Sequence, residues 1–163
     1  MNRVPRSWMI SNLRKSYQIL GLMLDGVTQE QAQILRDGAD GWTILEIMCH
    51  IRDYQEIFMA RAQQMLNEDN PTLIPYDAEA REAMITEREY AKQNLLAVFK
   101  DYVATRHQFI ELLESLNDAD LDRIGTHPMT GTIAVATPIY HTTMHDADHT
   151  EQIARILGRK MLT

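Results

Sequence analysis

An all-α four-helix bundle is the architecture the sequence predicts, and three observations predict it. Proline and glycine are sparse, at five and seven in 163 residues, so long stretches are free of helix breakers. Apolar residues recur at three- and four-residue spacing along four stretches, the period of a helix with one buried face. Long irregular segments separate them, as in bundles with crossover connections. No repeat, low-complexity tract or linker divides the chain, so residues 1–163 are expected to form one domain.

The first helix is expected over residues 7–24, where Leu13, Tyr17, Leu20 and Leu24 share a face. Asp25, Gly26 and Thr28 interrupt it, and Thr28 caps a short turn through Leu35. A loop with Asp37, Gly38, Asp40 and Gly41 follows. The second long helix starts near Thr43, because Thr43 and Glu46 have capping-box spacing, and runs to about Asn67. Ile44, Ile47, Met48, Ile51, Phe58, Ala62 and Met65 form its apolar stripe, and His50 lies beside it. Residues 70–76 contain two prolines and read as a crossover loop. Residues 77–116 predict one short helix and one long one, with Leu95, Phe99, Tyr102, Phe109, Leu112 and Leu116 inward. Residues 117–137 read as irregular, with His127, Pro128 and Gly131 as turn signals. The last helix begins near Thr137 and Pro138 and ends near Gly158, a fitting C-cap.

Composition narrows the function. Apolar residues at 45% and charged residues at 24% are ordinary for a globular chain that buries a core without disulfides or a structural metal. A net charge of −7 without a Lys/Arg cluster argues against nucleic acid as a partner. No apolar run approaches the ~20 residues of a membrane span. The first residues mix charges and lack a signal-peptide core. The single cysteine, Cys49, excludes an intrachain disulfide and fits a reducing compartment. The expectation is a cytoplasmic protein with no membrane partner.

The candidate chemistry lies in histidines. His145 and His149 are four residues apart, so they share a helix face and can chelate one ion. A third imidazole from another helix would complete a three-nitrogen site with open positions, as catalytic metals use. His141 extends the row, but its ring cannot join the same ion as His149, since the ends are ~12 Å apart at helical rise. It is expected beside the site, as a hydrogen-bond donor behind a ligand or as a pocket wall. His127 is expected at the pocket mouth, and His107 to be structural. Asp53, one turn after His50, is a candidate acceptor for an imidazole N–H. Asp146 stands where the zincin motif has its glutamate, but it is one methylene shorter and lacks the rest of that motif. Cys49 diverges from His50 by ~100° around the helix and is not expected to ligate the same ion. The ten methionines read as adaptable core filler. A di-iron bundle would need repeated Glu-x-x-His motifs, which are absent. The alternative reading of each histidine is a satisfied core polar group.

Four segments together resemble one family. They are GWTILEIMCHIRDYQEIFMAR, NEDNPTLIPYD, LESLNDADLDRIGTHPMTGTIAV and HTTMHDADHTEQI. They look like the DinB-like superfamily of metal-binding four-helix bundles, and the likeness covers nearly the whole chain. The resemblance implies that His50, His145 and His149 form a metal triad for a divalent ion, zinc or nickel. It also implies a homodimer acting on a small-molecule substrate. Some relatives transfer or isomerise with low-molecular-weight thiols such as bacillithiol or mycothiol, and many have no assigned reaction. The resulting expectation is a thiol-dependent S-transferase or a metal-assisted hydrolase. The alternative is a non-catalytic small-molecule-binding or dimerising scaffold with a vestigial site.

Overall fold

All four expected long helices form, in a computed structural model that describes residues 4–159. The first, α1 (Arg6–Leu24), is followed by α2 (Gln29–Ile34) and α3 (Ile44–Asn67). Next come α4 (Ala78–Glu87), one 3-10 turn (Tyr90–Lys92) and α5 (Leu95–Ser115). The chain closes with α6 (Asp118–Leu121), a hairpin of β1 (Ile124–His127) and β2 (Gly131–Ala134), and α7 (Ala136–Ile156). Both expected caps are made. The side chains of Thr28 and Thr43 accept from the N–H of Gln31 and Glu46, whose side chains return the bond. At the far end Gly158 takes a φ of 64°, the left-handed conformation that ends many helices.

The stretch expected to be irregular, 117–137, is ordered more than its turn residues suggested. It folds as α6 and a two-stranded antiparallel hairpin with Ile124 opposite Ala134 and His127 opposite Gly131. Four-residue strands are too short for periodicity to reveal. The crossover loop lies along β1, with Leu73 N–H donating to Thr126 O at 3.0 Å and Thr126 N–H to Pro71 O at 2.8 Å. This close approach uses Gly125, where a Cβ would stand 2.8 Å from side chains of both Leu73 and Met65.

Packing among the long helices is crosswise. The helix α3 packs against α5 and α7, and α1 packs against the same two. Sequence neighbours α1 and α3 therefore sit diagonally, as do α5 and α7, and each diagonal step uses a long connection. The core divides into two clusters. One contains Leu20, Leu24, Ile44, Leu45, Ile47, Met48, Tyr102 and Ile153. The other contains Met9, Leu13, Phe58, Met65, Phe109, Leu113 and Ile139. Along every long helix a polar residue falls between the clusters: Ser16, Gln55, Arg106 and Asp146. Among the described residues no helix is long and apolar enough to cross a membrane.

Candidate metal centre

Helices α3 and α7 bring His50, His145 and His149 together at the level of that polar layer. His50 is buried, at 6% exposure, and the other two are half-buried. His145 Nε2 lies 3.0 Å from His50 Nε2 and 3.2 Å from His149 Nε2. Ligand atoms of the three residues all lie within 4.8 Å of one another. Nitrogens bound about 2.1 Å from one ion would stand about 3.0–3.4 Å apart, so the two measured separations suit a shared cation.

A relay fixes the tautomer of one of these histidines. Gln152 Nε2 donates to Asp37 Oδ2 at 2.9 Å, so its Oε1 must face the other way. That oxygen is 2.7 Å from His149 Nδ1. His149 therefore carries its proton on Nδ1 and presents a bare lone pair at Nε2. All three imidazoles are held neutral. Burial, then the neighbouring His149, depresses His50 to about 3. Burial, then His149 and His50, depresses His145 to about 2. Burial also lowers His149, opposed by its bond to Gln152. Neutral, converging imidazole nitrogens are metal donors by type.

Aromatic rings wall the centre. Tyr54 stacks on His145 with centroids 4.1 Å apart, and Trp42 meets His50 edge-on at 4.8 Å. A cavity of about 220 Å³ opens beside His145, lined by Tyr54, Phe58, His141, Met144 and Asp148. His141 thus stands at the pocket wall, as its helix position implied. His127 is not in a free loop. It ends β1, and its Nδ1 accepts from the N–H groups of Met129 and Thr130 at 3.2 and 3.3 Å. His107 is exposed, with an edge contact to Tyr17.

Two carboxylates have other duties than sequence suggested. Asp53 accepts from Arg52 at 2.7 Å, Arg88 at 2.6 Å and Tyr90 at 2.6 Å, and from no histidine. Asp146 accepts from Arg106 at 2.8 Å, and neither side chain reaches solvent appreciably. Arg106 also donates to Leu13 O at 3.0 Å, to Ser16 at 2.6 Å and to Gln55. Nothing in sequence singled out Arg106. Gln152 was visible only as part of the segment after His149. Cys49 is buried, and burial raises its thiol to about 12, so the chain offers no thiolate here.

A family model described as the DinB superfamily matches residues 12–153. The chain belongs to the DinB superfamily. A relative from Oceanobacillus iheyensis, named "Putative metal-dependent hydrolase", is 26% identical over 125 residues, covering 74% of this chain and 67% of the relative. One of the same name from Bacillus mycoides is 29% identical over 119 residues, covering 73% of this chain and 66% of its own. The matched stretch is thus about two thirds of each relative. Among solved structures, YfiT from Bacillus subtilis is described as a "probable metal-dependent hydrolase with an unusual four-helix bundle topology". It superposes with a TM-score of 0.78 at 22% identity over 98% of this chain and 91% of its own. The mycothiol-dependent maleylpyruvate isomerase superposes at 0.75 with 13% identity, over 92% of this chain and 61% of its own. These two likenesses establish the fold of the DinB bundle and leave the reaction to the site.

Proposed function

We propose that this DinB protein is a metal-dependent hydrolase of a small molecule, with His50, His145 and His149 holding one divalent ion. The observation that carries this reading is the convergence of three neutral imidazole nitrogens, one with its lone pair fixed by the Asp37–Gln152 relay. The hydrolase names of relatives at 26% and 29% identity support it. A divalent ion there supplies Lewis acidity toward a water or a carbonyl, with zinc and nickel both suited to imidazole.

The chain's own groups do the rest. Tyr54 and Phe58 keep bulk water from one side of His145. His141 and Asp148 line the adjoining cavity, and each is able to take a proton and return it. Gln152 keeps His149 in the ligating tautomer.

A thiol as co-substrate is the second reading. It is favoured by the apolar lining of the cavity, Tyr54, Phe58 and Met144, which suits a sulfur-bearing ligand. Any such thiol comes from outside, because Cys49 is buried and protonated.

The test is elemental analysis followed by turnover of ester and amide panels, with and without added bacillithiol or mycothiol. Hydrolysis dependent on bound metal and indifferent to thiol is the expected result. Turnover of electrophiles only with thiol favours the second reading. A bundle that binds no metal is a scaffold, and the hydrolase reading falls.

A further inference from the structure

The helix α4 is held more loosely than the rest of the bundle. None of its residues is buried, and among the described residues no extensive packing between elements involves it. A helix of ten residues has little stability of its own in water, so α4 depends on few contacts. Ala80, Arg81, Met84 and Ile85 form its half-buried inner face, and Ile85 packs against one core cluster. The Arg81 guanidinium sits over the Trp42 ring at 5.8 Å. Its Nε is buried without a hydrogen-bond partner, and an unmatched donor weakens the contact that holds α4 down.

The chain on either side of α4 is tied to α3. Before α4, Ile74 O accepts from Arg61 Nε at 2.9 Å, and Ile74 N–H donates to Gln64 Oε1 at 3.1 Å. Tyr76 packs on Tyr54 with ring centroids 5.1 Å apart, and its hydroxyl bonds to that of Tyr90. After α4, Arg88 donates to Asp53 at 2.6 Å and to Glu56 at 2.9 Å, and its carbonyl accepts from Gln93 at 2.6 Å. Residues 77–87 therefore form a span with fixed ends and a loose middle.

That loose middle lies against the imidazole centre. Arg81 covers Trp42, and Trp42 in turn meets His50 edge-on at 4.8 Å. The charge of Arg81 reaches His50, which is only 6% exposed. The cavity beside His145 opens elsewhere, between α3 and α7, and no residue of α4 lines it. We propose that α4 is a flap over the His50 side of the centre, opening by local unfolding between ends fixed at Tyr76 and Arg88. Openings of this kind belong to segments with few buried contacts, and the lids of reaction sites are drawn from them. Calling it the flap of a reaction site rests on the hydrolase reading, whereas its opening is a property of the metal-free chain as well.

Ala83 is exposed on α4, so Ala83→Gly lowers helix propensity and removes little packing. Chelated wild type and Ala83→Gly are compared by hydrogen exchange in sub-denaturing urea, read by mass spectrometry. The rate at which diethyl pyrocarbonate labels His50 is read by peptide mass on the same two proteins. In the wild type, amides of residues 82–87 should be protected about 100-fold less than those in the middle of α3, with little dependence on urea. Ala83→Gly should speed both α4 exchange and His50 labelling about fivefold, the ratio that glycine for alanine carries inside a helix. The urea midpoint of the bundle should not move. Amides of α4 as well protected as those of α3, or a midpoint lowered by Ala83→Gly, mean that α4 unfolds only with the whole bundle, and overturn the flap. Faster α4 exchange with His50 labelling unchanged overturns its place over the centre. A chain that takes up no zinc, yet whose His50 labelling follows α4 opening, overturns the metal reading alone.

Discussion

Arg106 on α5 and Asp146 on α7 form an ion pair of 2.8 Å with almost no exposed surface, and Asp146 directly follows His145 in the chain. The pair lies in the polar layer that divides the two core clusters, so it fixes how α7 is rotated against α5. The same rotation turns His145 and His149 toward His50. Stability and site geometry thus meet in one contact.

Removing one member of that pair leaves the other charged and buried. Asp146→Ala should therefore cost about 3–5 kcal/mol of folding stability, read as a lowered midpoint in urea unfolding of chelated protein. Replacing both members with Asp146→Leu and Arg106→Met should recover much of the loss, since a well-packed apolar pair often replaces a buried ion pair without penalty. Equal destabilisation in the single and double variants would contradict this view of the layer.

Gln152 is expected to act on the metal and not on the fold. Gln152→Leu removes the acceptor for His149 Nδ1–H, and metal affinity should fall about 10–100-fold. The melting temperature of chelated protein should change little, since Gln152 is half-buried. A competition titration against a chromophoric chelator measures the affinity. An unchanged affinity would remove the relay from the site.

The bundle should fold without metal, because two apolar clusters span all four long helices. His149→Ala should abolish metal binding, cost about 1–3 kcal/mol, and leave a cooperative melt by circular dichroism. If the chelated wild type is unfolded at room temperature, the metal is structural and the case for chemistry at the centre lapses.

Acid should destabilise the metal-free protein in a defined window. The folded values of His50 and His145 are depressed to about 3 and about 2 from 6.5. Below pH 6.5 the unfolded chain binds protons that the folded chain refuses. Their contribution is therefore present above 6.5 and is lost as pH falls through the window down to the folded values. Each histidine steepens the fall by up to about 1.4 kcal/mol per pH unit. Urea midpoints of chelated protein from pH 8 to 4 test it, and a flat profile between 6.5 and 5 would contradict the burial of neutral imidazoles. Metal release should likewise come below the ordinary histidine range, since protons must enter the same refusing site.

Much of this was legible in sequence. The Thr43–Glu46 capping box and the stripe from Ile44 to Met65 fixed α3, and helical spacing put His145 and His149 on one face. Arg106 was not legible, because one arginine in a mixed helix reads as a solvated residue until three other helices are packed around it. Asp53 sat one turn from His50, as expected, but the adjacent Arg52 together with Arg88 and Tyr90 from a distant segment captured it. The hairpin depends on pairing across Gly125 and Gly131, a contact that no local pattern encodes.

Metal content of wild type and His50→Ala is the most direct test, because His50 alone joins the pair on α7 from a different helix. Both proteins would be chelated, reloaded with zinc or nickel, desalted and assayed by elemental analysis. About one ion per chain in the wild type, with little in His50→Ala, is the predicted result for a three-imidazole site. A reloaded wild type without metal, or a His50→Ala variant holding as much as the wild type, would contradict it.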